Sequence, residues 1–170
     1  MKPMMMFVAK HFRQTPLVGA EVGVFRGIHS ASILREMPQV KKLYLVDPYK
    51  KYWTWRKGFQ KWLPAAKETA KKRMKRFNPS RYEWIYKPFE ANIIPEPLDF
   101  VYIDANHSYE AVLHDIKESE KRLKHGGVIG GHDYHEAGQL EERFGVGRAV
   151  REHYAGTQIH VKDKDWWVIL

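Results

Sequence analysis

The chain has 170 residues, is 44% hydrophobic and 29% charged, and carries a formal net charge of +9 with no cysteine. That length and composition suit a folded domain with a real core and exclude a disordered chain, while the absence of cysteine excludes disulfides and thiolate metal sites. No apolar run approaches the ~20 residues of a membrane span, so the expectation is a cytoplasmic protein with no membrane partner.

The first ten residues are apolar but short, and Lys10, His11 and Arg13 interrupt them. They read as a first helix packed on a sheet, not as a signal peptide. Leu17 to Val24 is a predicted strand, and Ser30 to Met37 a helix stopped by Pro38. Leu43 to Val46 is the second strand. A helix is predicted from Pro64 to Phe77, with Pro64 in its first turn and Asn78-Pro79 after it. Tyr82 to Tyr86 and Leu98 to Ile103 are the third and fourth strands. Ser108 to Lys124 reads as an amphipathic helix closed by Gly126-Gly127, and Val128 to Gly131 as the fifth strand. Leu140 to Tyr154 is mostly helical. Gln158 to Val161 and Trp166 to Leu170 flank Lys162-Asp-Lys-Asp165 as a final hairpin. Alternating strands and helices predict a parallel α/β sheet with helices on both faces, in one domain spanning residues 1–170.

Residues 48–63 are unusual. Tyr49, Tyr52, Trp53, Trp55, Phe59 and Trp62 fall there among Lys and Arg. A loop of this kind reads as a lid over a binding site; the alternative is that its rings cover the sheet edge. Lys and Arg recur at 50, 51, 56, 57, 61, 67, 71, 72, 73, 75, 76 and 81. This is either a solvated helix face or an attractor for an anionic partner such as a nucleic acid, a phosphorylated metabolite or an acidic glycan.

Glu21-Val-Gly-Val-Phe-Arg-Gly-Ile-His-Ser30 reads as a strand end, a glycine-rich turn and a helix start. Such a turn aims backbone N–H groups at a polar or anionic ligand. Asp47 closes the next strand. A glycine turn after one strand and a carboxylate after the next is the layout that holds a nucleoside by its ribose hydroxyls. Asp104, His107, His132, Asp133 and His135 fall at the predicted C-terminal ends of later strands, where ligands bind in open α/β sheets. His107 and His132 are candidate bases. His29, His11, His114, His125, His153 and His160 read as surface or cap-proximal positions. Trp166 and Trp167 read as core and edge packing.

Four blocks together resemble class I S-adenosylmethionine-dependent methyltransferases of the methyltransferase domain 24 type, from about Pro16 to Leu170. They are Glu21-x-Gly-x-x-x-Gly-x-x-Ser30, Leu45-Val-Asp-Pro-Tyr49, Phe100-Val-Tyr-Ile-Asp-Ala-Asn-His-Ser-Tyr-Glu110 and Gly126-Gly-Val-Ile-Gly-Gly-His-Asp-Tyr134. The resemblance implies a Rossmann-like three-layer fold with a seven-stranded, mostly parallel sheet whose last strand is antiparallel. It also implies S-adenosyl-L-methionine as cofactor. Glu21 would contact its methionine end, and Gly23 and Gly27 would let the backbone approach. Ser30 would cap the helix or touch the carboxylate, and Asp47 would hold the ribose. Phe25, Pro48 and Phe89 would complete the contacts, Phe89 beside the adenine within Lys87-Pro-Phe-Glu90. Asp104, Asn106 and His107 would lie at the reaction centre.

A dehydrogenase would show G-x-G-x-x-G, which this turn does not. The macrolide-sugar O-methyltransferases are similar here and ligate magnesium; Asp104 and Asp133 match that pattern, His132 stands where those relatives have Glu, and the three are the candidate ligands for Mg²⁺ or another divalent metal. The expected reaction is O-methylation of a small-molecule or sugar acceptor. Two rivals are action on RNA or another polyanion and non-catalytic cofactor binding. A homodimer partner would complete a site this open.

Overall fold

The computed structural model of the chain describes residues 1–50, 59–136 and 145–170. Seven strands form one sheet in the order β3-β2-β1-β4-β5-β7-β6. They are β1 (Leu17–Val22), β2 (Val40–Val46), β3 (Tyr82–Ile85), β4 (Leu98–Ile103), β5 (Leu123–Gly131), β6 (His160–Lys162) and β7 (Asp165–Ile169). β1 to β5 pair in parallel, and β7 runs antiparallel to both neighbours. The expected Rossmann-like sheet with its antiparallel last strand is therefore present. The helices are α1 (Pro3–Phe12), α2 (Ile28–Glu36), α3 (Leu63–Met74), α4 (Tyr109–Glu120) and α5 (Val146–His153). None among the described residues is long and apolar enough to cross a membrane.

Strand side chains alternate between two cores, as a pleated sheet covered on both faces requires. Ala20, Val22, Tyr44, Val46, Val101, Ile103 and Ile129 pack with Val112 and Ile116 of α4 and Ala149 and Val150 of α5. Leu17, Leu43, Leu45, Phe100, Tyr102 and Val128 pack on the other side with Met4 and Val8 of α1, Ile33 and Leu34 of α2, and Ala70 and Met74 of α3. Trp166 and Trp167 are both buried, one in each core. Asp165 is fully buried beneath the second core: it accepts from the Tyr102 hydroxyl at 2.8 Å and from the Met4 N–H at 3.0 Å. The latter bond satisfies one of the orphan donors at the start of α1.

Several boundaries differ from the sequence expectation. β1 stops at Val22 because Gly23 turns the chain with φ +93. α2 begins earlier than Ser30, with left-handed Gly27 as its N-cap. α3 ends at Met74, short of Phe77. The largest correction is at α4, which ends at Glu120 while Leu123 and Lys124 already belong to β5. Leu123 pairs with Leu98, and the Leu98 N–H donates to the Arg122 carbonyl at 2.8 Å. Pairing with a distant strand thus overrides a helical pattern that continues locally. The final hairpin closes through the Lys162–Asp165 pair, with Asp163 and Lys164 both in the left-handed region, as a two-residue type I′ turn requires. The expected start of the penultimate helix at Leu140 lies outside the described residues.

Candidate active site

The strand order reverses direction between β1 and β4, so a crevice opens beyond their C-terminal ends. Gly23 occupies that crevice floor. A Cβ there would sit 2.1 Å from the Asp104 carbonyl oxygen, so any side chain would push the two strand ends apart. The Asp104 N–H donates to the Val22 carbonyl at 2.7 Å, which ties the glycine turn to the loop after β4.

Asp47 braces this turn. Its Oδ2 accepts from the N–H groups of Val24 at 3.1 Å and Phe25 at 2.8 Å, and its Oδ1 accepts from the Tyr49 N–H at 2.7 Å. Tyr49 closes the ring by donating its hydroxyl to the Phe25 carbonyl at 2.8 Å. Burial pushes the Asp47 carboxyl above its ordinary range, opposed by the hydrogen bonds from Phe25, Tyr49 and Val24 and by the charge of Lys67. A carboxylate offers about four lone-pair positions, so a capacity for ribose hydroxyls remains beside the backbone bonds. The half-buried Pro48 follows it.

Glu21 and the first turn of α2 form a second knot. The Ser30 hydroxyl donates to Glu21 Oε2, and His29 Nδ1 lies 3.2 Å from Oε1. Ser30 is fully buried and does not cap the helix, the first of the two roles expected of it, because Gly27 already occupies the cap. His29 is cap-proximal, two residues past Gly27, and not at the surface: its ring packs on Tyr102 at 4.1 Å, and its Nε2 is buried without a hydrogen-bond partner. A buried unsatisfied nitrogen is costly unless a ligand or water completes it. Glu21, His29 and the Asp47-braced turn thus suit a polar, partly charged ligand such as the amino-acid end and ribose of the expected cofactor.

Asp104, His107 and Asp133 converge at the ends of β4 and β5. His107 Nε2 lies 3.4 Å from Asp104 Oδ1 and 3.3 Å from Asp133 Oδ2. One ligand atom from each lies within 4.8 Å of the others. His132, named from the sequence as both base and ligand, stands beside this set: its Nδ1 is 3.3 Å from Asp133 Oδ1. Asp133 is therefore gripped by two imidazoles. Burial would raise its carboxyl, but the His132 hydrogen bond and the charges of His107, His132 and His135 bring it down to about 2. The loop is built locally. Asn106 accepts from the Ser108 N–H at 3.2 Å, and the Ser108 hydroxyl N-caps α4 through the Ala111 N–H at 3.3 Å. Asn106 thus shapes the loop. Tyr109 donates to Glu152 at 2.7 Å, and Tyr134 is buried.

The segment after β3 is held from the side. On α4, His114 Nε2 meets the Phe89 carbonyl at 3.0 Å, and Glu118 accepts from the Ala91 N–H at 2.9 Å. Just past the helix, Arg122 donates to the Ile94 carbonyl at 2.5 Å. These three residues recur every four positions and clasp residues 89–94. Their i, i+4 spacing is the signal that a sequence reading could have used. Phe89, expected beside the adenine, is buried in the core, while Lys87 and Pro88 are exposed. The expected lid falls largely on residues 51–58, outside the described residues. A cavity of about 460 Å³, lined by Ala9, Arg13, Gln14, Pro38, Gln39 and Lys41, lies at the opposite end of the sheet, away from every candidate residue.

Comparisons with known proteins bear on the family and the fold. A methyltransferase domain model matches residues 20–134. "Uncharacterized protein R132" of Acanthamoeba polyphaga mimivirus is 26% identical over 136 residues, which cover 75% of this chain and 56% of that protein. Among solved structures, the O-methyltransferase NovP superposes with a TM-score of 0.68 at 14% identity, covering 98% of this chain and 78% of that one. CalS11, a TDP-rhamnose 3'-O-methyltransferase of calicheamicin biosynthesis, does so with 0.66 at 13% identity, covering 98% and 76%. An rRNA methylase from Streptococcus thermophilus does so with 0.64 at 15% identity, covering 99% and 95%. At these identities the three structures speak for the fold, and the family match carries the assignment: the chain belongs to the methyltransferase domain family of class I S-adenosylmethionine-dependent enzymes.

Proposed function

We propose that the chain methylates a hydroxyl oxygen of a small molecule or sugar, with His107 as general base. The carrying observation is the placement of His107 Nε2 between the carboxylates of Asp104 and Asp133, at 3.4 and 3.3 Å, beside the glycine turn. The cofactor supplies an electrophilic methyl group on a positively charged sulfur. Glu21, Gly23, Gly27 and Asp47 would hold it along the turn. The acceptor oxygen would take the methyl carbon as the carbon–sulfur bond breaks onto sulfur, and its proton would pass to His107 Nδ1, while Asp104 and Asp133 accept from the Nε2–H and stabilise the imidazolium. Holding acceptor and methyl group in line supplies much of the remaining acceleration. The O-methyltransferase names of NovP and CalS11 support oxygen as the target, and the latter supports a sugar.

The same cluster favours a second reading. Ligand atoms ~2.1 Å from a divalent ion lie roughly 3.0–3.4 Å apart at octahedral or tetrahedral angles, and the His107 separations match. Asp104, His107 and Asp133 would then hold the ion, and the nitrogen ligand would favour a softer cation than Mg²⁺. The test is transfer of labelled methyl from S-adenosylmethionine to a panel of sugar and phenolic hydroxyls, run with EDTA and with added Mg²⁺, Mn²⁺ or Co²⁺. An O-methyl product formed equally with EDTA supports the base; loss with EDTA and recovery with a cation supports the metal. An N-methylated product would overturn the proposal.

A further inference from the structure

Twelve Lys and Arg and a single acidic residue, Glu68, fall between positions 50 and 81, which leaves 17 basic and 19 acidic residues in the rest of the chain. The net charge of +9 is therefore the property of one segment, and the remainder is slightly acidic. In the described part of that segment, α3 presents Lys72 and, with the turn after it, Lys75 and Arg76 to solvent. Aromatic rings stand beside these charges. Trp62 is 50% exposed, with Lys61 Nζ 5.2 Å from its ring centre. Tyr86, 37% exposed at the end of the edge strand β3, stacks on Trp84 at 5.6 Å and carries Lys67 Nζ at 3.9 Å over its ring.

This face is continuous with the candidate cofactor site. Lys67 also lies 5.8 Å from the ring centre of Tyr49, whose N–H and hydroxyl brace the Asp47 turn. Arg73 donates to the Arg26 carbonyl within the glycine turn. A bound polymer would thus run along α3 and the β3 edge straight to the crevice.

We infer that this α3–β3 face docks single-stranded RNA and delivers it to the methyl-transfer site. Cations spaced along a helix suit a phosphate chain, and exposed rings among them suit unstacked bases, which a sugar-phosphate polymer without bases or a lipid surface would not use. An RNA acceptor also agrees with a sugar hydroxyl as the methylated group. The delivery step rests on the function proposed above, whereas the docking does not.

The test is fluorescence anisotropy with a labelled 20-nucleotide single-stranded RNA of mixed sequence, titrated with the full chain between 50 and 300 mM KCl. Competitors are heparin, the same RNA as a duplex, and vesicles containing phosphatidylserine. Single-strand binding is expected to weaken steeply with salt. Lys72→Glu/Lys75→Glu/Arg76→Glu is expected to weaken it at least tenfold and to flatten the log–log salt slope by about 2, three phosphate contacts at roughly 0.7 each. Trp62→Ala is expected to weaken RNA binding and leave heparin binding unchanged, which separates base stacking from charge alone. Circular dichroism and S-adenosylmethionine affinity serve as fold controls and are expected to stay unchanged in all variants. Absence of RNA binding, equal losses of RNA and heparin binding in Trp62→Ala, or tighter binding to duplex or vesicles would overturn the inference. RNA binding with the expected variant effects but no methylated RNA would leave the docking standing and remove the delivery step.

Discussion

Replacing His107 with alanine is expected to lower kcat by roughly 10²–10⁴-fold, the usual contribution of a positioned general base. S-adenosylmethionine affinity is expected to stay close to that of the unaltered chain, because His107 sits with Asp104 and Asp133 and away from the Glu21 and Asp47 knots. A loss confined to kcat marks an interaction made in the transition state. His132→Ala is the informative partner. Its ring touches Asp133 from the far side, so it is expected to lower kcat far less than His107→Ala. Single-turnover methyl transfer and calorimetric cofactor binding on both variants check this. Equal losses in the two would move the base from His107 to the pair, and an unaffected His107→Ala would refute the assignment.

Asp115 governs a stability effect of comparable weight. It lies on the core side of α4 between Val112 and Ser119, and burial pushes its carboxyl up to about 7 from an ordinary 3.8, with nearby Glu90 raising it further and His114 opposing. The unfolded chain loses this proton near pH 4 and the folded chain keeps it until near pH 7. Stability therefore falls as pH rises between those values and levels off above them. About three pKa units at 1.36 kcal/mol each give a full penalty of roughly 4 kcal/mol above pH 7. Asp115→Asn is expected to be more stable than the unaltered chain at pH 8 by up to that amount, and about equally stable at pH 4. Urea midpoints measured across pH 4–8 decide this. A variant less stable at pH 8 would show that the ionised carboxylate is satisfied in the fold.

Much of this molecule is legible from local pattern. The strand, glycine turn and helix around Glu21–Ser30, the carboxylate at Asp47 and the closing hairpin all announce themselves through short-range spacing. Alternating strands and helices announce a parallel α/β sheet, whereas its seven strands and antiparallel last strand came from the family resemblance alone. What local pattern misses is set by distant partners. Leu123 and Lys124 look helical until Leu98 is seen to pair with them. His29 looks superficial until the Glu21 side chain and the Tyr102 ring, on two different strands, are brought beneath it. The choice between His107 and His132 depends on which imidazole faces both carboxylates, and that is fixed by the loop that Asn106 and Ser108 fold, not by spacing along the chain. The clasp of His114, Glu118 and Arg122 on residues 89–94 was visible as an i, i+4 ladder, yet its meaning needed the segment that it grips.

Asp47 links the fold to the chemistry, since removing its carboxylate strips three backbone donors of their acceptor and takes away the group placed to hold the ribose. Calorimetric titration of the chain and of Asp47→Ala with S-adenosylmethionine and S-adenosylhomocysteine therefore tests the cofactor site most directly. Binding in the micromolar range, about −8 kcal/mol, that disappears in a still-folded Asp47→Ala is the result this account predicts. A folded, unaltered chain that takes up neither ligand, or an Asp47→Ala variant that binds as tightly, would contradict it.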